Sequence, residues 1–380
     1  MTGPLQGIRV VELAGLGPAP YACMLLAEAG ADVVRIDRPG AGRPGPPGSH
    51  WDLLARSRPS ITVDLKHPEG VALVLDLVER ADVLVEGFRP GVAERLGVGP
   101  DPCRARNPRL VYARMTGWGQ DGPMADRAGH DIDYIALSGS LWPLGRKGER
   151  PVPPMNLLAD FGGGGMLLAF GITSALVETG RSGEGQVVDA AMTDGTASML
   201  TFMFSFHRAG RWKEERGVNM FDSGAHFYQV YETADGGYFA VGAVEPQFYA
   251  RLLDALGLGD EELPDQMDQE QWPAMQQRFA AVFATRTRDE WAHVFEGVDA
   301  CGVPVLSPFE AHLHPHNRAR GTYVEIDGVV QPGPAPRFSR TPSATGRLPS
   351  PPGSDTDEAL QAWGLTGPAI AALRASRALG

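Results

Sequence analysis

The chain has 380 residues, 43% hydrophobic and 21% charged, with a formal net charge of −12. Those proportions describe an ordinary globular protein long enough for two domains. The acidic balance excludes a chain built to hold nucleic acid non-specifically, which needs a basic field over the phosphates. Three scattered cysteines, Cys23, Cys103 and Cys301, give neither zinc spacing nor a disulfide framework and fit a reducing compartment. No apolar run approaches the roughly 20 residues of a membrane helix. The segment Met1–Leu5 lacks the basic start and apolar stretch of a signal peptide. A cytoplasmic chain with no membrane and no nucleic-acid partner is expected.

Strand and helix signals alternate through the first half. Ile8–Leu13, Ala31–Ile36, Ile61–Leu65, Val83–Glu86 and Val111–Thr116 are short, β-branched and strand-like. Pro18–Ala29, Pro68–Arg80 and Val92–Leu96 carry apolar residues at helical spacing. Such alternation predicts an α/β fold: a Rossmann-like, doubly wound parallel sheet. Gly162–Glu178 reads as a long helix with Asp160 at its cap, Gln186–Asp189 as a strand and Asp194–His207 as one helix. Arg208–Gly224 is polar and glycine-punctuated, like a linker. After it, Tyr228–Glu232 and Tyr238–Val244 flank Ala234-Asp235-Gly236-Gly237, a hairpin signal. Gln247–Leu256, Trp272–Thr285 and Asp289–Glu296 follow as helices, and a proline-rich tail ends in a helix at Thr356–Trp363. The expected organisation is a large domain over 1–207 completed by 328–380, a linker over 208–224, a smaller α+β domain over 225–315, and a return linker over 316–327.

Several segments could carry chemistry. Gly15-Leu16-Gly17-Pro18-Ala19-Pro20, with Asp37 about 20 residues on, approaches a dinucleotide fingerprint. However, Pro20 replaces the third glycine and Pro18 removes an N–H where a phosphate needs one. A tight strand–helix turn is the better reading. Asp160-Phe161 followed by Gly162–Gly165 lacks the Gly-Lys-Ser/Thr of a triphosphate loop. Its glycines would let a ligand approach a helix N-terminus, or Asp160 is simply a cap. His312, His314 and His316 form a His-Leu-His-Pro-His tract read as a surface loop, so no metal is expected. His130 stands beside Asp131 at a helix start, where the dipole disfavours imidazolium and a neutral ring can act as a base. Arg35, Arg38, Lys66, Arg89 and Arg95 fall at or just after strand ends, a basic rim for an anion at the carboxyl edge of a parallel sheet.

Seven segments together resemble a known family. They are Leu5–Glu12, Ala31–Asp37, Arg114–Gln120, Gly129–Tyr134, Leu158–Gly164, Gly185–Asp189 and Ala243–Tyr249. The chain resembles the family III CoA-transferases, the CaiB/BaiF superfamily, and within them the α-methylacyl-CoA racemases, from residue 5 to about 345. The resemblance implies a homodimer of interlocked subunits. It places the active site between the large domain of one subunit and the small domain of the other. It implies an acyl-CoA thioester substrate, with coenzyme A as part of the substrate and no separate cofactor.

The hydrogen α to a thioester is weakly acidic, and its removal leaves an enolate charged on the thioester oxygen. Inversion needs a base on one face, an acid on the other, and donors at that oxygen. The resemblance assigns the two faces to His130 and Asp160, and pairs the imidazole with Glu245. The N–H of Asp131, at the helix start, is the candidate oxyanion donor. Arg38, Lys66, Arg89 and Arg95 would hold CoA phosphates, with Val63 and Tyr134 near the rest of the cofactor portion. Met192, Met203 and Met220 would form an adaptable acyl surface, or else fill core. Two other functions remain. A CoA-transferase would use Asp160 as a nucleophile, but transferases of this group generally lack the histidine, and no second glycine-rich loop occurs between 228 and 262. A non-catalytic acyl-CoA-binding protein would have no use for the complete His130, Asp160 and Glu245 set.

Overall fold

The computed structural model describes residues 2–41 and 51–380. Met1, with which the N-terminal segment read above begins, and residues 42–50 of the expected large domain lie outside the described residues.

In chain order the elements are β1 (Arg9–Leu13), α1 (Pro18–Glu28), β2 (Asp32–Asp37), β3 (Ser60–Thr62), α2 (Pro68–Val78), β4 (Val83–Glu86), α3 (Val92–Arg95), α4 (Pro100–Arg106), β5 (Val111–Thr116) and α5 (Asp131–Ser138). A π-helical stretch, Leu157–Met166, then runs directly into α6 (Leu167–Ser182), followed by β6 (Val187–Ala191), α7 (Met192–Met199) and α8 (Thr201–Arg208). Next come β7 (Tyr228–Glu232), β8 (Tyr238–Gly242), α9 (Pro246–Leu256), α10 (Trp272–Phe283), α11 (Arg288–Val294) and β9 (Gly302–Pro304). The chain closes with α12 (Pro315–Arg320), β10 (Tyr323–Ile326), β11 (Val329–Pro332), α13 (Thr356–Ala362) and α14 (Gly367–Ala375). Proline opens α1, α2, α4, α9, α10 and α14 within their first two positions, where its missing N–H costs nothing.

Two compact units result. One holds Met1–Ser138, Met155–Met199 and Pro315–Gly380; the other holds Gly139–Pro154 and Leu200–His314. In the first, six parallel strands are ordered β3-β2-β1-β4-β5-β6, a doubly wound Rossmann-like sheet. Val10, Val11, Val34, Ile61, Val83 and Leu84 are fully buried, as strands covered on both faces must be. The tail joins the same core: Leu360, Trp363, Ile370 and Leu379 pack with Val11, Leu73, Leu77 and Leu84. The strand order reverses between β1 and β4, so their carboxyl ends diverge and leave a crevice.

Residues 208–224, read as a linker, are ordered within the second unit by residues far away in the chain. The Arg216 guanidinium lies 5.0 Å over the Trp142 ring and donates to Trp142 O at 3.1 Å. Trp142 Nε1 donates to Glu214 O at 3.0 Å. No local signal announces such packing. The helix expected over Asp194–His207 is interrupted at Leu200, giving α7 and α8. The helix expected from Gly162 starts at Leu157, so Asp160 lies inside its first turn and Asn156 precedes it. From Leu157 to Ser182 this is one helical run of 26 residues, long and apolar enough by length and composition to cross a membrane. Counting uninterrupted apolar residues missed it because Gly162–Gly165 divide the run.

The second unit's core is aromatic, with Phe227, Phe239, Phe279, Phe283 and Trp291 gathered on the β7–β8–β9 sheet. His226 lies among them, 1% exposed, its Nε2 2.8 Å from the Tyr249 hydroxyl. Burial pulls its imidazole down to about 4. A depressed folded value means that only the unfolded chain takes up this proton between pH 6.5 and about 4, so stability falls as pH is lowered through that window. The loss is on the order of 3 kcal/mol. Urea unfolding of the wild type and of His226→Gln from pH 7.5 to 4 measures it: the wild type should lose more stability across the window. Parallel curves would show that His226 does not titrate in this way.

Candidate active site

The crevice at the β1/β4 reversal holds two adjoining hollows, which share Leu16 and Phe88 as walls. The first, about 450 Å³, lies over the ends of β1, β2 and β3 and is lined by Leu13–Leu16, Asp37, Arg38, Val63 and Lys66, among others. Arg38 and Lys66 are exposed there, while Val63 is buried in its wall. The second, about 220 Å³, lies over the ends of β4 and β5 and is lined by Arg89, Trp118, His130, Tyr134 and Met192. Arg95 lines neither hollow. Arg35, included in the basic rim, lines the first hollow but is only 5% exposed and already paired, with Glu12 at 3.0 Å and Asp37 at 3.3 Å. Ser60 Oγ also donates to Asp37 Oδ2 at 2.7 Å, so this carboxylate is engaged where a dinucleotide fold would offer it to a ribose.

His130 precedes the first residue of α5 and acts as its cap by backbone. Its carbonyl accepts from Asp133 N at 2.9 Å, and its N–H donates to Asp133 Oδ2 at 2.9 Å. That pairing leaves the ring exposed at the hollow. Tyr134, one turn on, is clamped in place. Its hydroxyl donates to Gly129 O and its ring meets Trp118 edge-on at 4.7 Å. A Cβ on Gly117 would come within 2.1 Å of the Tyr134 ring, and one on Gly129 within 2.7 Å. Burial first, then the carboxylates of Asp160 and Asp133, push the Tyr134 phenol up to about 12.

Asp160 is half-buried beside the same region. A Cβ on Gly17, at the start of α1, would lie 3.4 Å from its Oδ2. Burial is the main reason that its carboxyl is raised above the ordinary value; the Asn156 amide, donating to Oδ2 at 3.0 Å, lowers it. The Asp131 charge raises it further and His130 lowers it. His130 and Asp160 are thus close enough to act on each other electrostatically. Asn156 was missed in the sequence because a lone asparagine before an apolar stretch reads as a turn residue.

Three of the four glycines after Asp160 are closely packed, whereas at Gly162 the nearest atom to a Cβ would be Leu157 O at 3.3 Å. A Cβ on Gly163 would lie 2.8 Å from Thr196 N, one on Gly164 2.9 Å from Met192 Cγ, one on Gly165 2.8 Å from Pro18 O. The π-helical stretch is wedged between α1 and α7, and π-helical turns concentrate at functional sites.

The sequence profile of CoA-transferase family III matches residues 5–356. The chain belongs to CoA-transferase family III. It is 48% identical over 376 residues to mouse alpha-methylacyl-CoA racemase, covering 98% of this chain and 97% of that one. It is also 48% identical to the human enzyme of that name over 366 residues, covering 95% and 94%. A CaiB/BaiF family protein from Brucella suis has the same fold, with a TM-score of 0.82 at 26% identity over 96% of this chain and all of that one.

Not every residue expected at the site of this family III chain lies in one unit. Glu245 precedes α9 in the second unit, exposed, with its carbonyl accepting from Phe248 N and Tyr249 N. Met192 is 7% exposed in the wall of the His130 hollow. Met203 and Met220 belong to the second unit, where Met220 packs against the aromatic core. The described residues bring together no cluster of three or more His, Cys, Asp or Glu suited to a metal ion.

Proposed function

We propose that this chain is an α-methylacyl-CoA racemase, interconverting (2R)- and (2S)-2-methylacyl-CoA by 1,1-proton transfer through an enolate. The observation that carries the reading is the pairing of His130 with Asp160: an exposed imidazole on α5 and a raised carboxyl on the π-helical stretch, each within the other's field. A raised carboxyl can hold a proton for delivery and, once ionised, is a stronger base toward a carbon acid. What separates the reading from a transferase is the imidazole of His130, for which a reaction through an Asp160 nucleophile has no use.

One group takes the α-hydrogen from one face. Charge moves to the thioester oxygen, where the Asp131 N–H at the start of α5 would receive it. The other group returns a proton to the opposite face, and inversion is complete. In the reverse direction the roles exchange. The chemistry asks only for the coenzyme A that the substrate carries. Arg38 and Lys66 in the larger hollow and Arg89 in the smaller one would hold its phosphates and pantetheine path. Glu245 would support the imidazolium from a second copy of the chain. An interlocked homodimer of this kind accords with the exposed apolar face of α6, where Phe170 and Val177 are both more than half exposed. A cytoplasmic location completes the reading.

The direct test is to incubate one enantiomer of a 2-methylacyl-CoA in heavy water and follow deuterium and optical purity together. Racemisation with one solvent deuteron per inversion is expected; CoA exchange between acids without inversion would favour the transferase. The phosphate contacts predict a salt dependence. Affinity for free CoA should fall as ionic strength rises from 20 to 500 mM, since exposed ion pairs are screened over about a Debye length. A Kd indifferent to salt would remove Arg38, Lys66 and Arg89 from this role.

A further inference from the structure

His130 and Asp160 must hold a fixed separation, because each serves one face of a single carbon. Nothing local in the chain provides it. His130 precedes α5 and Asp160 lies in the π-helical stretch; between them, Gly139–Pro154 leave for the second unit. One side chain crosses the gap. Asp131 Oδ2 accepts from Ala159 N at 2.7 Å and from Asp160 N at 2.8 Å. The carboxylate is 4% exposed, and its Oδ1 has no hydrogen-bond partner among the described residues. The two N–H groups are early ones of a helical run and lack partners within it.

We propose that Asp131 is a positioning residue whose side chain braces the backbone of Asp160 against the His130 turn, fixing the distance between the two proton-transfer groups. This rests on the racemase reading of the site and assigns to the side chain a role separate from that of its own N–H. Because residue 131 follows His130 directly, a carboxylate there ties the two elements with no flexible segment between. The Asp131 charge also raises the Asp160 carboxyl, adding to the effect of burial. One side chain therefore positions the group it holds and adds to its proton affinity.

Asparagine and alanine at 131 separate the two effects. Asp131→Asn keeps an oxygen that can accept both N–H groups but loses the charge. The acid limb of its kcat/KM profile should move to lower pH for the enantiomer that Asp160 deprotonates. Asp131→Ala loses the brace, and kcat should fall roughly 10²-fold for both enantiomers with KM little changed, the scale of a misplacement near 1 Å. Amide hydrogen exchange of the peptide spanning 157–162, measured without substrate, gives a readout independent of the reaction. The Ala159 and Asp160 amides should stay protected in wild type and Asp131→Asn and exchange faster in Asp131→Ala. Equal protection in all three folded proteins overturns the brace whatever the enzyme does. If Asp131→Ala does not fold, Asp131→Ser, too short to reach both amides, takes its place in the exchange measurement, where unchanged protection overturns the brace; an asparagine variant with an unshifted pH limb overturns the charge role. A wild type that protects these amides but racemises nothing sinks the racemase reading and leaves the brace standing.

Discussion

His130→Ala should abolish racemisation, with a loss of roughly 10²-fold or more, as is typical for a general acid–base group, while hydrogen exchange persists from one enantiomer only. A base acting on one face must return its proton to that face. With the imidazole gone, Asp160 can still exchange the α-hydrogen of its own enantiomer for deuterium but cannot invert the carbon. Asp160→Ala should show the mirror behaviour, exchanging only the enantiomer that His130 deprotonates. Glu245→Gln should weaken both directions without erasing either, since it removes a charge that supports imidazolium and leaves the ring in place. Proton NMR in heavy water with each pure enantiomer reads all of these at once. If wild type moves CoA between two acids and His130→Ala does so at the normal rate, the racemase assignment is wrong.

The second large effect is one of packing. Gly195 on α7 touches the π-helical stretch so closely that a Cβ there would lie 1.8 Å from Gly163 O. Backbone cannot yield as a flexible side chain does. Gly195→Ala should therefore cost about 3 kcal/mol or more, the upper range for overpacking, seen as a lower urea midpoint at unchanged slope. The strain falls on the turn that carries Asp160, so activity should drop in whatever protein remains folded. Gly180→Ala on α6 is the control. A Cβ there meets nothing within 4 Å, so the change should be neutral or stabilising by up to about 1 kcal/mol. Equal stability of the two variants would show that α7 can move away from the stretch.

Much of the first unit was legible because its elements are short, repetitive and local. Val83–Glu86 and Val111–Thr116 coincide with β4 and β5, and the other β-branched runs overlap theirs, the largest difference being Ile61–Leu65, whose strand ends at Thr62. A parallel sheet buries both faces of each strand, so apolar runs alone betray it. The hairpin of β7 and β8 was equally plain from Ala234–Gly237. The ordering of 208–224 was not legible, since it depends on Arg216 finding Trp142 some 70 residues earlier. Nor was the committed state of Arg35, which in sequence resembles Arg38 but faces Glu12 and Asp37.

For the site, sequence by itself determined which chemistry is on offer: His130 before a helix, Asp160 before four glycines, and basic residues after strand ends. These depend on residue type and near neighbours, which the chain states directly. Tertiary structure alone decided what surrounds them. It packed Gly163, Gly164 and Gly165 into a close seam, separated Met192 from Met203 and Met220 by unit, and placed the Asp131 carboxylate on the amides of Ala159 and Asp160. Each of those outcomes joins residues far apart in the chain. A contact of that kind is settled by how the elements pack in three dimensions, and no spacing along the sequence encodes it.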